Sequence, residues 1–266
     1  SGVIVVAHTE DTFLLRRTLE EEGFTVAEVR GPYTETQEGY SRNIRCLINH
    51  AHAWRTAAER GRPTVVVEAD FVPIVGMGGM PLPFPEASPG TGRFGWLYSA
   101  GSILYGIDEF GLPHGHGNTT VAYALDRDAA LHLLGFFERE MRQPEVGTYR
   151  PWETYLGIYL RKECGIRNYF TPRQYGEHGG VANREHRLAG ARAWHEADIL
   201  AGRLAFHPPY ARGSLARYRA RRFRGWARGL YRLVTLRFFD PRYVSEDSAR
   251  GRLAMAWFAV RRLVAK

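Results

Sequence analysis

The chain has 266 residues, 44% apolar and 24% charged, with 29 glycines and 14 prolines; this excludes disorder, collagen and coiled coil and permits one large domain or a domain with an appendage. Its net charge of +8 is divided, because residues 203–266 hold 16 Lys+Arg against 3 Asp+Glu while the preceding 202 residues hold 20 against 25. No run approaches the roughly 18 apolar residues of a membrane span, the N-terminal Ser1-Gly2-Val3 lacks a basic region and cleavage site, and Cys46 and Cys164 make no disulfide framework, so a cytoplasmic compartment is expected.

Val3–Ala7 reads as a buried strand, Thr12–Glu22 as a helix stopped at Gly23, and Thr25–Val29 as a second strand. This β-α-β opening predicts an α/β sheet with crossover helices. Ser41–Glu59 is a helix that Ser41 can cap, with Ile44, Leu47, Ile48, Ala51, Trp54 and Ala58 on one stripe. Gly61 ends it, and the β-branched run Thr64–Val67 is a third buried strand leading into Glu68-Ala69-Asp70. Residues 76–92 form a Gly/Pro-rich loop; this loop and 108–118 are expected to set ligand choice.

Trp96–Tyr98 and Ile103–Tyr105 are expected to make a hairpin across Gly101. Thr120–Leu125 is a strand, Asp126 caps a helix to about Glu140, and Pro151–Glu163 is a helix with Glu153 in its first turn. Tyr169–Pro172 reads as the last strand, followed by a polar, Gly-rich loop. The basic tail, 203–266, reads as two amphipathic helices, about 214–238 and 246–265, broken around Asp240-Pro241.

Arginines interleaved with aromatics suit an anionic membrane surface, guanidinium groups meeting phosphate while rings sit at headgroup level. Arg221, Arg222, Arg224, Trp226 and Arg228 are the centre of that expectation. The alternative is a helical pair packed on the body with a solvated basic face. The composition also suits nucleic acid, but the acidic body and the lack of a zinc finger or RNA-stacking motif argue against it, and no nucleic-acid partner is expected.

Glu68 and Asp70 stand where a buried strand meets the carboxyl edge of the sheet, the place where α/β folds bind ligands. Such an acid-x-acid pair can hold a hard cation that neutralises a diphosphate; an acidic turn after a strand is the plain alternative. The run Asn43-Ile44-Arg45-Cys46-Leu47-Ile48-Asn49-His50 to Trp54, followed by Val65-Val66-Val67-Glu68-Ala69-Asp70, resembles glycosyltransferase family 25, which includes lipopolysaccharide β-galactosyltransferases. Cys46, His50, Trp54, Glu68 and Asp70 match; Arg45, Asn49 and Ala69 depart from the family's Gly, Ser and middle acid. Pro151-Trp152-Glu153 resembles the family's Pro-x-Asp, and the likeness spans roughly residues 3–180.

The resemblance implies a GT-A-like single nucleotide-binding α/β domain with a mixed sheet over residues 1–202, plus the basic helical extension. It implies transfer from a nucleotide-sugar donor to a lipid-linked saccharide acceptor of lipopolysaccharide, capsule or related glycolipid, at the inner face of the membrane. Asp70 would lead in holding a divalent metal (Mn or Mg) or the diphosphate, with Glu68 supporting; Ala69 leaves one carboxylate fewer. His178 is the further metal ligand, or a solvated loop histidine. Asn43 and Ser102 would line the donor site; His50 would bond the nucleotide or the neighbouring strand end, or pack semi-buried on Trp54. Glu153 would be the general base of an inverting transfer, or a first-turn Glu serving the helix dipole. His116 would line a pocket. With Ala69 in the motif, an inactive transferase-like binding module is the remaining alternative.

Overall fold

Val3, Ile4, Val5 and Val6 are all buried because the first strand is covered on both faces. The computed structural model describes residues 2–86, 92–143, 147–180, 196–211, 213–239 and 249–264. Within them run β1 (Gly2–Val6), α1 (Phe13–Glu21), β2 (Thr25–Val29), α2 (Glu35–Glu38), α3 (Arg42–Arg60), β3 (Thr64–Glu68), β4 (Phe71–Pro73), β5 (Phe94–Tyr98), β6 (Ile103–Ile107), β7 (Pro113–His116), β8 (Ala122–Leu125), α4 (Arg127–Met141), α5 (Trp152–Lys162), β9 (Asn168–Phe170), β10 (Gly176–His178), α6 (Leu215–Val234) and α7 (Ala249–Val264).

The class is the mixed α/β one expected. The large sheet has the order β2-β1-β3-β8-β5-β9-β7-β6, and β4 and β10 form a separate antiparallel ribbon. β2, β1 and β3 are parallel, as the β-α-β reading requires, whereas β8 runs antiparallel between β3 and β5. Strand parity separates two cores. Ile4, Val66, Phe94, Tyr123 and Leu125 face α3, α4 and α5, where Trp54, Leu133 and Trp152 meet them. Val3, Val5, Val65, Val67, Ala122 and Ala124 face α1 and the ribbon.

Ser41 caps α3 by accepting from the Ile44 N–H, and Asp126 caps α4 by accepting from the Ala129 N–H. Gly61 closes α3 at φ 64°, a left-handed turn that glycine adopts without steric cost. The hairpin across Gly101 does not form: β5 pairs with β8 and β9, and β6 pairs with β7. β5 carries the bulky buried run Phe94, Trp96, Leu97 and Tyr98, which needs neighbours on both sides, so it lies inside the sheet while β6 takes the edge. Residues 113–116, expected in a loop, are strand β7.

The two tail helices are present, and residues 240–248 lie outside the described residues. Ahead of them the chain still pairs with the body, the Val75 N–H donating to the Arg203 carbonyl and the Ala205 N–H to that of Pro73. α6 sits on the body through Gly225 and Gly229, with arginines reaching inward. Arg221 pairs with Glu196, Arg222 with Glu177, and Arg262 of α7 with Asp198 at 2.9 Å. Arg228 donates to the Glu196 carbonyl at 2.6 Å, and Arg232 to that of Ser102. Burial pushes Arg232 down to about 10, assisted by the positive charges of Arg228 and Arg262 against the pull of Asp198. Thus Arg221, Arg222 and Arg228, expected at a phosphate surface, are engaged by the body; Arg224 and Trp226 are exposed.

A Cβ at Gly225 would stand 2.4 Å from the Ala197 carbonyl oxygen. Gly→Ala inside a helix ordinarily stabilises by about 1 kcal/mol. Gly225→Ala should instead destabilise by about 1–3 kcal/mol through overpacking and speed tryptic cleavage in α6. A melting point at or above that of the wild type would contradict the seating of α6.

Candidate active site at the carboxyl end of β3

Glu68 ends β3 half-buried, its backbone N–H bonded to the Val121 carbonyl at 2.9 Å. One carboxylate oxygen, Oε1, accepts from Thr120 Oγ1 at 2.8 Å and faces His50 Nε2 at 3.2 Å. The other ring nitrogen, His50 Nδ1, lies 2.8 Å from the Tyr123 hydroxyl, which also takes the Trp54 Nε1–H at 2.7 Å. Indole can only donate. The phenol oxygen therefore accepts from Trp54 and directs its own hydrogen to His50 Nδ1, which leaves the imidazole proton on Nε2, aimed at Glu68. His50, Trp54 and Tyr123 are fully buried. His50 thus bonds the neighbouring strand end, one of its two expected roles, while also lying 6.0 Å from the Trp54 ring.

Asp70 follows one residue beyond Ala69, whose N–H extends the pairing with β1 by bonding the Val6 carbonyl. The β4–β10 ribbon opposes His178 to Phe71, and the Gly179 N–H bonds the Asp70 carbonyl at 2.7 Å. This register sets His178 Nε2 at 2.6 Å from Asp70 Oδ2, across a sequence separation of 108 residues. Burial works to keep the ring neutral; the charge and hydrogen bond of Asp70 outweigh it, and the His178 pKa is raised. Gly180 lies over the pair: a Cβ there would stand 2.2 Å from Asp70 Oδ2 and 2.8 Å from His178 Nε2.

Glu153 stands in the first turn of α5, behind Pro151. Trp152 anchors this helix start by donating from Nε1 to the Asn43 carbonyl at 3.1 Å, and Asn43 Nδ2 donates to Glu153 Oε1 at 2.8 Å. Burial first, and then the charge of Glu68, push Glu153 from the ordinary 4.5 up to about 8, against the Asn43 hydrogen bond. A carboxyl at that value holds its proton at neutral pH beside an acceptor carboxylate, the kind of paired arrangement that divides acid and base roles. The Cys46 thiol is pushed well up by burial and by Glu68, Glu153 and Asp70. Cys46, His50 and Glu68 bring their ligand atoms within 4.8 Å of one another. Both His50 nitrogens are engaged, Nδ1 by the Tyr123 hydroxyl and Nε2 by Glu68, so the histidine offers the three no open ligand atom.

The structure therefore gathers Asn43, His50, Glu68 and Glu153 around one strand end, with the Asp70–His178 pair following on the same chain turn. The other expected residues lie elsewhere. Buried Ser102 gives its carbonyl to Arg232 and lines a narrow cleft with Tyr98, Gln174 and Phe258. His116 is on β7, four strand places from β3, about 19 Å at the usual inter-strand spacing. Thr120, Tyr123 and Trp152 were not singled out in the sequence. Trp152 could have been found, since it sits inside Pro151-Trp152-Glu153; the other two act through the antiparallel β3–β8 pairing, which has no local signal.

No protein-family model and no curated protein matches the chain. Among solved structures, the chain is similar to a glycosyltransferase involved in the glycosylation of the major capsid of PBCV-1, with 11% identity and a TM-score of 0.41 over 64% of this chain and 82% of that one.

Tyr123→Phe removes the hydroxyl and strands two buried groups, Trp54 Nε1 and His50 Nδ1. It should cost about 1–3 kcal/mol in urea unfolding, and a loss within error of zero would contradict the relay.

A second prediction concerns pH. The folded-state pKa of Glu153 lies above the ordinary value, so the folded protein retains a proton that the unfolded chain releases between pH 4.5 and about 8. Stability therefore falls as pH rises through that window. Glu153→Gln removes this term. Its stability relative to the wild type should climb between pH 5 and 8 by on the order of 2 kcal/mol and then level off; a pH-independent difference would contradict the raised pKa.

Proposed function

We propose that the protein is an inverting glycosyltransferase of the family 25 type, moving a sugar from a nucleotide-sugar donor to a saccharide of lipopolysaccharide, capsule or a related glycolipid at the inner face of the membrane. The observation that supports this reading is the place of Glu68 at the end of β3, where its charge acts both on Glu153 and on the His178 paired with Asp70. It agrees with the sequence resemblance through Cys46, His50, Trp54, Glu68 and Asp70.

Asp70 and His178 would supply one oxygen and one nitrogen donor to an ion that displaces the proton now held between His178 Nε2 and Asp70 Oδ2. That set fits a divalent ion that accepts imidazole, such as manganese, better than magnesium, which takes oxygen ligands and water. When bound, the ion would neutralise the diphosphate of the donor. Ala69 leaves the motif one acid short, and His178 makes up a ligand from the ribbon. Glu68, fixed by His50 and Thr120, maintains the negative wall of the site. Glu153 takes the acceptor hydroxyl proton as the acceptor oxygen attacks the anomeric carbon in line, and the bond from that carbon to the diphosphate oxygen breaks to release the nucleoside diphosphate. At a pKa of about 8, roughly a tenth of Glu153 is ionised at pH 7, so transfer should rise nearly tenfold per pH unit until it levels close to pH 8.

The experiment is a thermal-shift screen against UDP-, GDP-, CMP- and TDP-sugars with and without manganese, followed by a transfer assay on the hit. A ligand bound only by the folded state at about a hundred times its Kd adds about 2.7 kcal/mol of stability. Asp70→Ala should lose the shift. Glu153→Gln should keep it while losing at least about a hundredfold in transfer. Absence of a shift with every sugar nucleotide, or full transfer by Glu153→Gln, would contradict the reading.

A further inference from the structure

α6 is built inside out. A helix on the surface of a globular protein turns its apolar stripe inward and its charges to water. In α6 the side against the body carries Gly225, Gly229, Arg222 and Arg232, engaged with Glu177, Ser102 and the 197–198 backbone region. The opposite side carries Phe223, Trp226, Leu230 and Val234 at helical spacing, all exposed, Phe223 at 67% and Val234 at 73%. Tyr231 flanks them, also exposed. Scattered apolar residues on a surface are ordinary; a continuous stripe along about three turns is not. α7, which touches α6, exposes Leu253 and Trp257 as well. No helix among the described residues is long and apolar enough to cross a membrane.

We propose that this outer face of α6 docks on an anionic lipid surface, with the helix lying in the plane of the interface and its stripe at the boundary between headgroups and acyl chains. Three observations select this occupant. First, neither Leu215–Val234 nor Ala249–Val264 contains an acidic residue, while Arg217, Arg219 and Arg224 are exposed beside the stripe, so the surface is positive wherever it is polar. Second, the aromatic members are tryptophan, tyrosine and phenylalanine next to arginine, the set that suits the headgroup region. Third, a second copy of this chain would bring together two stretches of 16 basic and 3 acidic residues, which repel.

This inference replaces phosphate contacts by Arg221, Arg222 and Arg228 with insertion of an apolar stripe, the inward arginines serving to hold the helix in position. It deepens the membrane part of the proposed function, yet its readout involves no sugar, so failure of transfer and failure of docking are separately visible.

The test is flotation of the full chain with vesicles of phosphatidylcholine alone, or of phosphatidylcholine and phosphatidylglycerol in equal parts. The wild type should float with the anionic vesicles and remain below with the neutral ones. The triple variant Phe223→Ser, Trp226→Ser, Leu230→Ser should lose at least about tenfold in partition coefficient with an unchanged melting point, because the three side chains are exposed. Should that variant melt early, brominated lipid provides the second reading. Emission present in the wild type and absent from Trp226→Phe should be quenched on vesicle binding. A wild type that does not float, a folded triple variant that floats equally, unquenched Trp226, or a lipid-free dimer that the triple variant abolishes would each overturn the proposal.

Discussion

One buried phenol hydroxyl organises the carboxyl end of β3. Tyr123 takes a hydrogen from Trp54 and gives its own to His50, and this fixes which imidazole nitrogen carries the proton that faces Glu68. Without that arrangement Glu68 would be an acid at the end of a strand. With it, one carboxylate oxygen, Oε1, is held by both the imidazole N–H and the Thr120 hydroxyl. The charge held there then acts on the nearby Glu153, already desolvated, and raises the pH at which it releases its proton. A hydrogen bond deep in the α3–β8 contact thereby bears on proton chemistry at the surface of the site. Such coupling through a satisfied polar network is strong because the surroundings are of low dielectric.

The division of charge along the chain has a structural meaning of the same kind. The acidic excess of the body includes Glu177, Glu196 and Asp198, which are buried and would be costly alone. The tail brings Arg222, Arg221 and Arg262 to them. Asp198 accepts from two Arg262 nitrogens as well as from Gln174, a forked arrangement that guanidinium geometry permits and ammonium does not. Body and tail therefore complete each other electrostatically, and what the tail leaves outward is its apolar side.

Much of the frame was legible in the sequence. The apolar run of Val3, Ile4, Val5 and Val6, the Ser41 cap, the Gly61 stop and the Thr64–Val67 run depend on nearest neighbours, and all appear as elements at nearly the expected bounds. Carboxylates at the end of β3 and at the start of α5 were likewise readable, because short motifs place them. The rest depended on pairings between distant segments. The false hairpin at Gly101 arose because β5 and β6 are adjacent in sequence but separated in the sheet by β9 and β7. β10 is three residues long, too short to show alternation, yet its register alone brings His178 to Asp70. The tail misled in a more instructive way: its composition identified arginines and aromatics correctly, but not which side of α6 each would occupy, since that was decided by the buried acids of the body.

The most direct test of the account is a carboxyl carbon NMR titration of protein labelled at glutamate side chains, with Glu153→Gln used to assign the one resonance. The account predicts that this resonance moves with a midpoint near pH 8, and that Tyr123→Phe shifts the midpoint by loosening Glu68. A Glu153 midpoint near the ordinary 4.5 would mean that the carboxyl is neither enclosed nor within reach of Glu68, and the site as described would not exist.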